Sequence, residues 1–255
     1  MTHPKQHPHP TPGTAPTGHG VDDPGLERLL DRIELVPSRG DPARHKLCIM
    51  SLVARLAEEA HSDSPLAASP LIAAFARPVN DAMDRQTRQR LIPFAPRILG
   101  TTADGDPGRQ QVLHATLMES LLPRIVTDLQ AGARPHVEAE AVATLSRLAA
   151  ALAETPPTHQ PRLVQDAAWD PAVLVGPLRV AITARRDGQG VQQAEATARI
   201  LAAGAGGAAR PTRRAWYWDQ AIDLLDRLCD VPDAPRTRQP RRRAGTAQPS
   251  GLARA

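Results

Sequence analysis

The apolar residues of this chain are almost all aliphatic: 41% of the sequence is apolar but only 2% is aromatic. Its core must therefore be assembled from Leu, Ala, Val and Ile. Leu and Ala are strong helix formers, and the β-branched residues that favour strands are in the minority. Facing helices rich in Ala need little side-chain volume between them. The composition predicts an all-α protein, a compact multi-helix bundle of about eight or nine helices with a disordered tail at each end.

The prolines mark where those helices begin. Asp23-Pro24, Asp41-Pro42, Ser69-Pro70 and Asp106-Pro107 each place a capping side chain before a proline, the usual arrangement at a helix N-terminus. The first start leads into Leu26, Leu29, Leu30 and Ile33. The second leads into Leu47, Cys48, Met50, Leu52, Val53, Leu56 and Ala60, whose spacing of three and four gives a wide apolar stripe. The third leads into Leu71, Ile72, Phe75 and Val79, with Pro78 expected to kink or end the helix. A short helix is expected over about 84–92, and a longer one from Asp106, bent at Pro123. Further helices are expected from Pro135 to Leu152, as short pieces within 161–187, over 191–203 and over 212–230. Residues 155–160 read as a loop, and Gly204 to Pro211 as a flexible joint.

Charge and composition set off the two ends. Residues 1–22 are Pro, His, Thr and Gly with almost nothing apolar to bury, so they are expected to stay disordered. Six Arg and one Asp give 232–255 a charge of +5, and one Lys with two Asp gives 1–24 a charge of −1. The whole chain carries +4, so the helical domain expected over 23–231 is essentially neutral. A basic recognition face on that domain is not supported. The C-terminal arm is the exception: Arg236, Arg238, Arg241, Arg242 and Arg243 are candidates for weak contacts with nucleic-acid phosphates, independent of base sequence. With no apolar stripe in the arm, its removal after Val231 is expected to leave the fold intact. No segment approaches ~18 consecutive apolar residues, and the first residues lack the apolar region of a secretion signal. Two distant cysteines suggest no disulfide framework. A cytoplasmic location without membrane contact is expected.

Motifs that carry chemistry alone are missing from the sequence: no phosphate-binding GxxxxGK[ST], no GxGxxG after a strand, no HExxH and no GxSxG. The one concentration of functional residue types lies between 45 and 81. His45 and Cys48 are three apart, which on one helix places them on one face, and both are metal-ligand types. Glu58, His61 and Asp63 lie at least nine residues beyond Cys48, nearly three helical turns or more, so one tetrahedral site could not take both ends of a straight helix. The candidate ligand-binding set is His45, Cys48, Glu59, Asp63, Asn80 and Asp81, with Asp81 also within helical reach of Arg77 and Arg85. A mid-helix Cys48 is more simply a packing residue than a nucleophile. The carboxylates Asp219, Asp223 and Asp226 read as a solvated helix face. No cofactor, metal or catalytic residue is expected.

Residues 45–101 nevertheless have a distinct pattern. Cys48 and Met50, then Ala57, Glu59, Ser62, Asp63 and Pro65, then Asn80-Asp81, and finally Pro96, Gly100 and Thr101 resemble a block in uncharacterised helical proteins of actinobacteria and some of their phages. The closing stretch Ala221 to Leu228 resembles the end of the same family. This chain departs from the pattern at Ser51, where the family has Glu, at Glu58, where it has Gly, and at His61, where it has Trp. A Cys that the family often carries near its second Pro is also missing. The resemblance implies a compact helical domain and brings no activity with it. The sequence thus points first to a non-enzymatic helical interaction or regulatory protein with a protein partner. The alternatives are a ligand- or metal-binding protein or enzyme using the 45–81 block, or weak nucleic-acid binding through the C-terminal arm.

Overall fold

Aliphatic side chains at helical spacing give the expected result: 72% of the interpretable structure is helical, and the strands amount to one small three-stranded sheet. The computed structural model describes residues 24–125, 127, 172–208 and 210–233. The helix expected over 135–152, the loop at 155–160, the N-terminal tail and all five Arg of the C-terminal arm lie outside the described residues.

Helix α1 spans Pro24–Leu30 and leads into strands β1 (Glu34–Leu35), β2 (Gly40–Asp41) and β3 (Lys46–Leu47). The strand order is β1-β3-β2, with β1 parallel and β2 antiparallel to β3. This sheet replaces the first turns of the helix expected from Asp41-Pro42. Asp41 does cap a turn there, accepting the Ala43 N–H at 3.0 Å, but the turn is a single 3₁₀ element, Pro42–Arg44. His45 ends it in the left-handed region at φ 55°, and Lys46-Leu47 then pair as a strand. Gly40 is required opposite them: a Cβ there would stand 2.3 Å from the Lys46 carbonyl oxygen.

The helices then follow as α2 (Ile49–Leu56), α3 (Pro70–Ala82), α4 (Arg85–Gln89), α5 (Ala95–Ile98) and α6 (Asp106–Thr116), then α7 (Ala172–Arg186), α8 (Gly190–Gly207) and α9 (Pro211–Asp230). Ser69 caps α3 as expected, its hydroxyl accepting from the Ile72 N–H at 3.2 Å. Pro78 does not end α3, which continues to Ala82 with Val79 and Asn80 fully buried beyond it. Residues 172–186 form one helix rather than short pieces, with Pro177 inside it. After α6 the helix widens into a π turn, Leu117–Leu121, immediately before Pro123, whose nitrogen has no hydrogen to donate to the preceding turn.

Helix α8 runs through the middle, packed chiefly against α3, α7 and α9, with further contacts to α6. Its buried face is Ala194, Ala198, Ile200, Leu201 and Ala205, small enough to let neighbouring backbones close in. Leu71 lies beside Gly190 and Ala82 shares a cavity with Gly206, so α3 and α8 run parallel. Gly204, expected in a flexible joint, is instead buried in α8. A Cβ at Gly204 would stand 2.3–2.6 Å from three atoms of the Tyr217 ring, which is itself completely buried. That close approach joins α9 to α8. A Cβ at Gly206, two residues on, would meet nothing within 4 Å.

The two glycines should therefore respond in opposite directions. Gly204→Ala is expected to destabilise by about 1–3 kcal/mol through overpacking against Tyr217. Gly206→Ala should be neutral or stabilising by up to about 1 kcal/mol, since alanine is the better helix former. Urea unfolding of both variants checks this, and equal effects would contradict the packing described.

Candidate functional site

The 45–81 residues fall into two separate groups, each occupied with holding backbone in place. His45 and Cys48 do not share a helix, because the chain passes through β3 between them. His45 is exposed and its carbonyl accepts the Glu34 N–H at 2.9 Å. Cys48 is buried and caps α2: its sulfur accepts the Ser51 N–H at 3.3 Å and its thiol donates to the Ser51 hydroxyl at 3.2 Å. It stands at the helix N-terminus, not in the middle of a helix.

Asn80 lies near the same helix start. It is completely buried. Its Oδ1 accepts the Ile49 N–H at 3.2 Å, while Nδ2 donates to the Val36 carbonyl at 2.9 Å and to Asp81 Oδ1 at 3.0 Å. Asp81 is exposed and accepts the Ser38 N–H at 2.7 Å. It forms no ion pair with Arg77 or Arg85: Arg85 meets Glu34 at 2.7 Å, and Arg77 donates to the Asp63 carbonyl at 3.1 Å and the Ser64 hydroxyl at 2.8 Å. Beside Asn80, the buried Arg88 donates Nε to the Asn80 carbonyl at 2.6 Å and Nη2 to the Met83 carbonyl, closing the end of α3. Gln89 completes the group. Its amide accepts the Leu35 N–H at 2.8 Å and donates to the Leu35 carbonyl at 2.9 Å, pairing with the edge of β1 as another strand would.

Glu59 and Asp63 lie beyond the other end of α2. Both Glu59 carboxylate oxygens are used, Oε2 accepting the Leu66 N–H and Oε1 the Ala67 N–H, each at 2.8 Å. The Ala67 carbonyl accepts the Gly100 N–H at 2.8 Å, and Pro65 is buried. Between these anchors the Leu66 side chain is 94% exposed. Sequence periodicity gave no hint of it, because a leucine in a turn looks like any other apolar residue.

Among the described residues, no group of three or more His, Cys, Asp and Glu is placed to hold a metal ion, and no helix is long and apolar enough to cross a membrane. Cys229 is largely buried, and burial pushes its thiol up to about 12, which keeps it protonated and unreactive at neutral pH. No family model, curated protein or solved structure matches the chain.

The strongest polar centre involves residues that the sequence did not single out. Arg109 is 1% exposed. It donates Nε to the Leu228 carbonyl (3.1 Å), Nη1 to the Thr102 carbonyl (2.6 Å) and Asp106 Oδ1 (3.2 Å), and Nη2 to the Val231 carbonyl (3.2 Å) and Asp233 Oδ1 (2.8 Å). Five acceptors thus meet the five N–H donors of the guanidinium. Asp106 also accepts from the Ser69 hydroxyl, and Asp233 Oδ2 accepts the Thr102 N–H at 2.9 Å. The carboxylates of α9 are likewise not merely solvated: Asp219 pairs with Arg90 at 2.8 Å, and Asp226 and Asp230 both pair with Arg97.

Asp233 lies beyond the boundary expected at Val231, and removal after Val231 deletes this partner of Arg109. Burial alone would raise the Asp233 carboxyl, but the bonds from Arg109 and Thr102 outweigh it and hold the group below its ordinary value. A depressed folded value contributes stability that is present above about pH 4 and lost as pH falls through the folded value. Truncation after Ala234 should therefore leave the unfolding midpoint unchanged. Truncation after Val231, or Asp233→Asn, should cost about 1–3 kcal/mol at pH 7. Asp233→Asn should also flatten the loss of stability between about pH 5 and 3. Urea unfolding at several pH values checks both statements.

Proposed function

We propose that this chain is a non-enzymatic helical interaction protein whose contact element is the loop between α2 and α3. The observation that carries this reading is Leu66, held 94% exposed by backbone fixed on both sides. A free loop would let such a leucine fold back onto apolar surface, and the Glu59 carboxylate prevents that by holding the Leu66 and Ala67 amides. Arg77 holds the preceding turn through the Asp63 carbonyl and Ser64 hydroxyl. The side chain is thus presented in a single backbone geometry, so a partner pocket that receives it orders little further chain. The side chains of Cys48, Glu59, Asn80 and Asp81 support the same reading, because each of them bonds this chain's own backbone. The partner expected is a protein with an apolar pocket of leucine size, walled by polar groups suited to His61, Ser62 and Ser64.

Affinity capture from the native host, with wild-type protein and Leu66→Glu side by side, tests this. Wild type is expected to retain a stoichiometric protein partner that Leu66→Glu loses. Because Leu66 buries nothing, the variant's stability should stay within about 0.5 kcal/mol of wild type. Equal capture by both proteins, or stoichiometric turnover of a small molecule with no protein partner, would contradict the reading.

A further inference from the structure

A cavity of about 210 Å³ opens between the end of α3, the last turns of α8 and the first turns of α9. It lies away from the α2–α3 loop and belongs to none of the polar groups described above. Its floor is Ala202, Ala205 and Gly206, on one face of α8 at spacings of three and four, and the space above Gly206 is open to at least 4 Å. Arg214 and Trp218 line another wall, one helical turn apart on α9. Trp218 is buried to 4% exposure. Asp84, which follows α3, also lines the cavity.

The charges on this cavity are opposite in sign, and they do not meet. Arg214 has one long bond, to the Ala208 carbonyl at 3.5 Å, which leaves most of its donors unused. Asp84 accepts the Gln86 and Thr87 N–H groups through Oδ1, at 3.1 and 3.0 Å, and the Thr87 hydroxyl through Oδ2 at 2.7 Å. Those bonds, the Thr87 N–H foremost, hold the carboxyl below its ordinary value, so it stays charged at neutral pH. The volume is below the ~300–1,000 Å³ of pockets that take drug-sized molecules, so an occupant must be small.

We infer that this cavity binds a free α-amino acid with an aliphatic side chain. The ammonium would face Asp84, the carboxylate Arg214, and the side chain would lie on the Ala202–Ala205–Gly206 floor against the Trp218 indole. Both charged ends are then required, which separates the occupant from simple anions and amines. Arg214 provides the planar donor fork suited to a carboxylate. The small floor residues set the limit on side-chain size, as a larger residue at any of them would occupy the space itself.

Calorimetric titration of the full chain with L-leucine and L-alanine tests this, with N-acetyl-L-leucine and L-leucinamide as comparators. One equivalent of leucine or alanine is expected to bind, and the comparators of leucine about tenfold or more weakly, since each lacks one charge. Gly206→Leu adds bulk at a lining position where a Cβ meets nothing within 4 Å, and it should abolish binding while leaving the circular dichroism unchanged. Arg214→Gln, exposed and outside the core, should weaken binding about tenfold or more and provides a second test if Gly206→Leu folds poorly. Absence of binding by both amino acids at millimolar concentration, comparators as tight as leucine, or full binding by Arg214→Gln would each overturn the inference.

Discussion

One buried cation closes this fold. Arg109 sits where the start of α6, the loop after α5 and the end of α9 meet, and its guanidinium bonds to all three. A guanidinium taken out of water is costly unless every donor is met. Here each N–H has an acceptor, three of them backbone carbonyls. Two of those, of Leu228 and Val231, lie at the end of α9, where carbonyls have no partner within the helix. The cation therefore solves two problems together: its own desolvation and the open end of the last helix. Asp106 carries the connection onward to Ser69, whose hydroxyl caps α3 and whose N–H donates to Thr101 Oγ1 at 2.9 Å.

The same device recurs where the backbone is irregular. The first 25 described residues contain three two-residue strands, too short to satisfy their own edges. Gln89 supplies the missing pairing to Leu35, Asn80 supplies it to Val36 and Ile49, and Asp81 supplies it to Ser38. All three side chains come from α3 and α4, so the sheet is held by helices that follow it in sequence. Glu59 does likewise for the loop around Leu66. The aliphatic core gives the chain its packing, and side-chain amides and carboxylates give its irregular parts a single shape. A loop fixed in this way can carry an exposed leucine without collapsing onto it, which is the feature on which the interaction reading rests.

Much of this was legible where the signal was local. Ser69-Pro70 announced α3, and the stripe from Trp216 to Leu228 gave α9 within a residue of its observed start. Asp41-Pro42 announced a turn in the same way, but the chain ahead paired as β3, and pairing with a strand twelve residues upstream leaves no periodic mark. Gly204 looked like a joint because its reason, the Tyr217 ring, comes from the next helix. Asn80 and Asp81 were recognisable as polar residues inside an apolar helix. What they bind was not, since Val36 and Ser38 lie more than 40 residues away. Arg109 and Asp233 were overlooked for the same cause: an arginine in a polar first turn and an aspartate in a basic tail look solvated until the fold joins them 124 residues apart.

If Arg109 is the junction, its removal must leave buried carbonyls and carboxylates unmet. Equilibrium urea unfolding of Arg109→Met, which keeps the volume and drops the charge, is the most direct measurement. A loss of about 3–5 kcal/mol is expected, the cost of breaking a buried charged network from one side. Arg109→Lys should recover less than half of it, because three donors on a flexible stem cannot reproduce the five-point fork. An Arg109→Met protein as stable as wild type to within about 1 kcal/mol would show that aliphatic packing alone closes the fold.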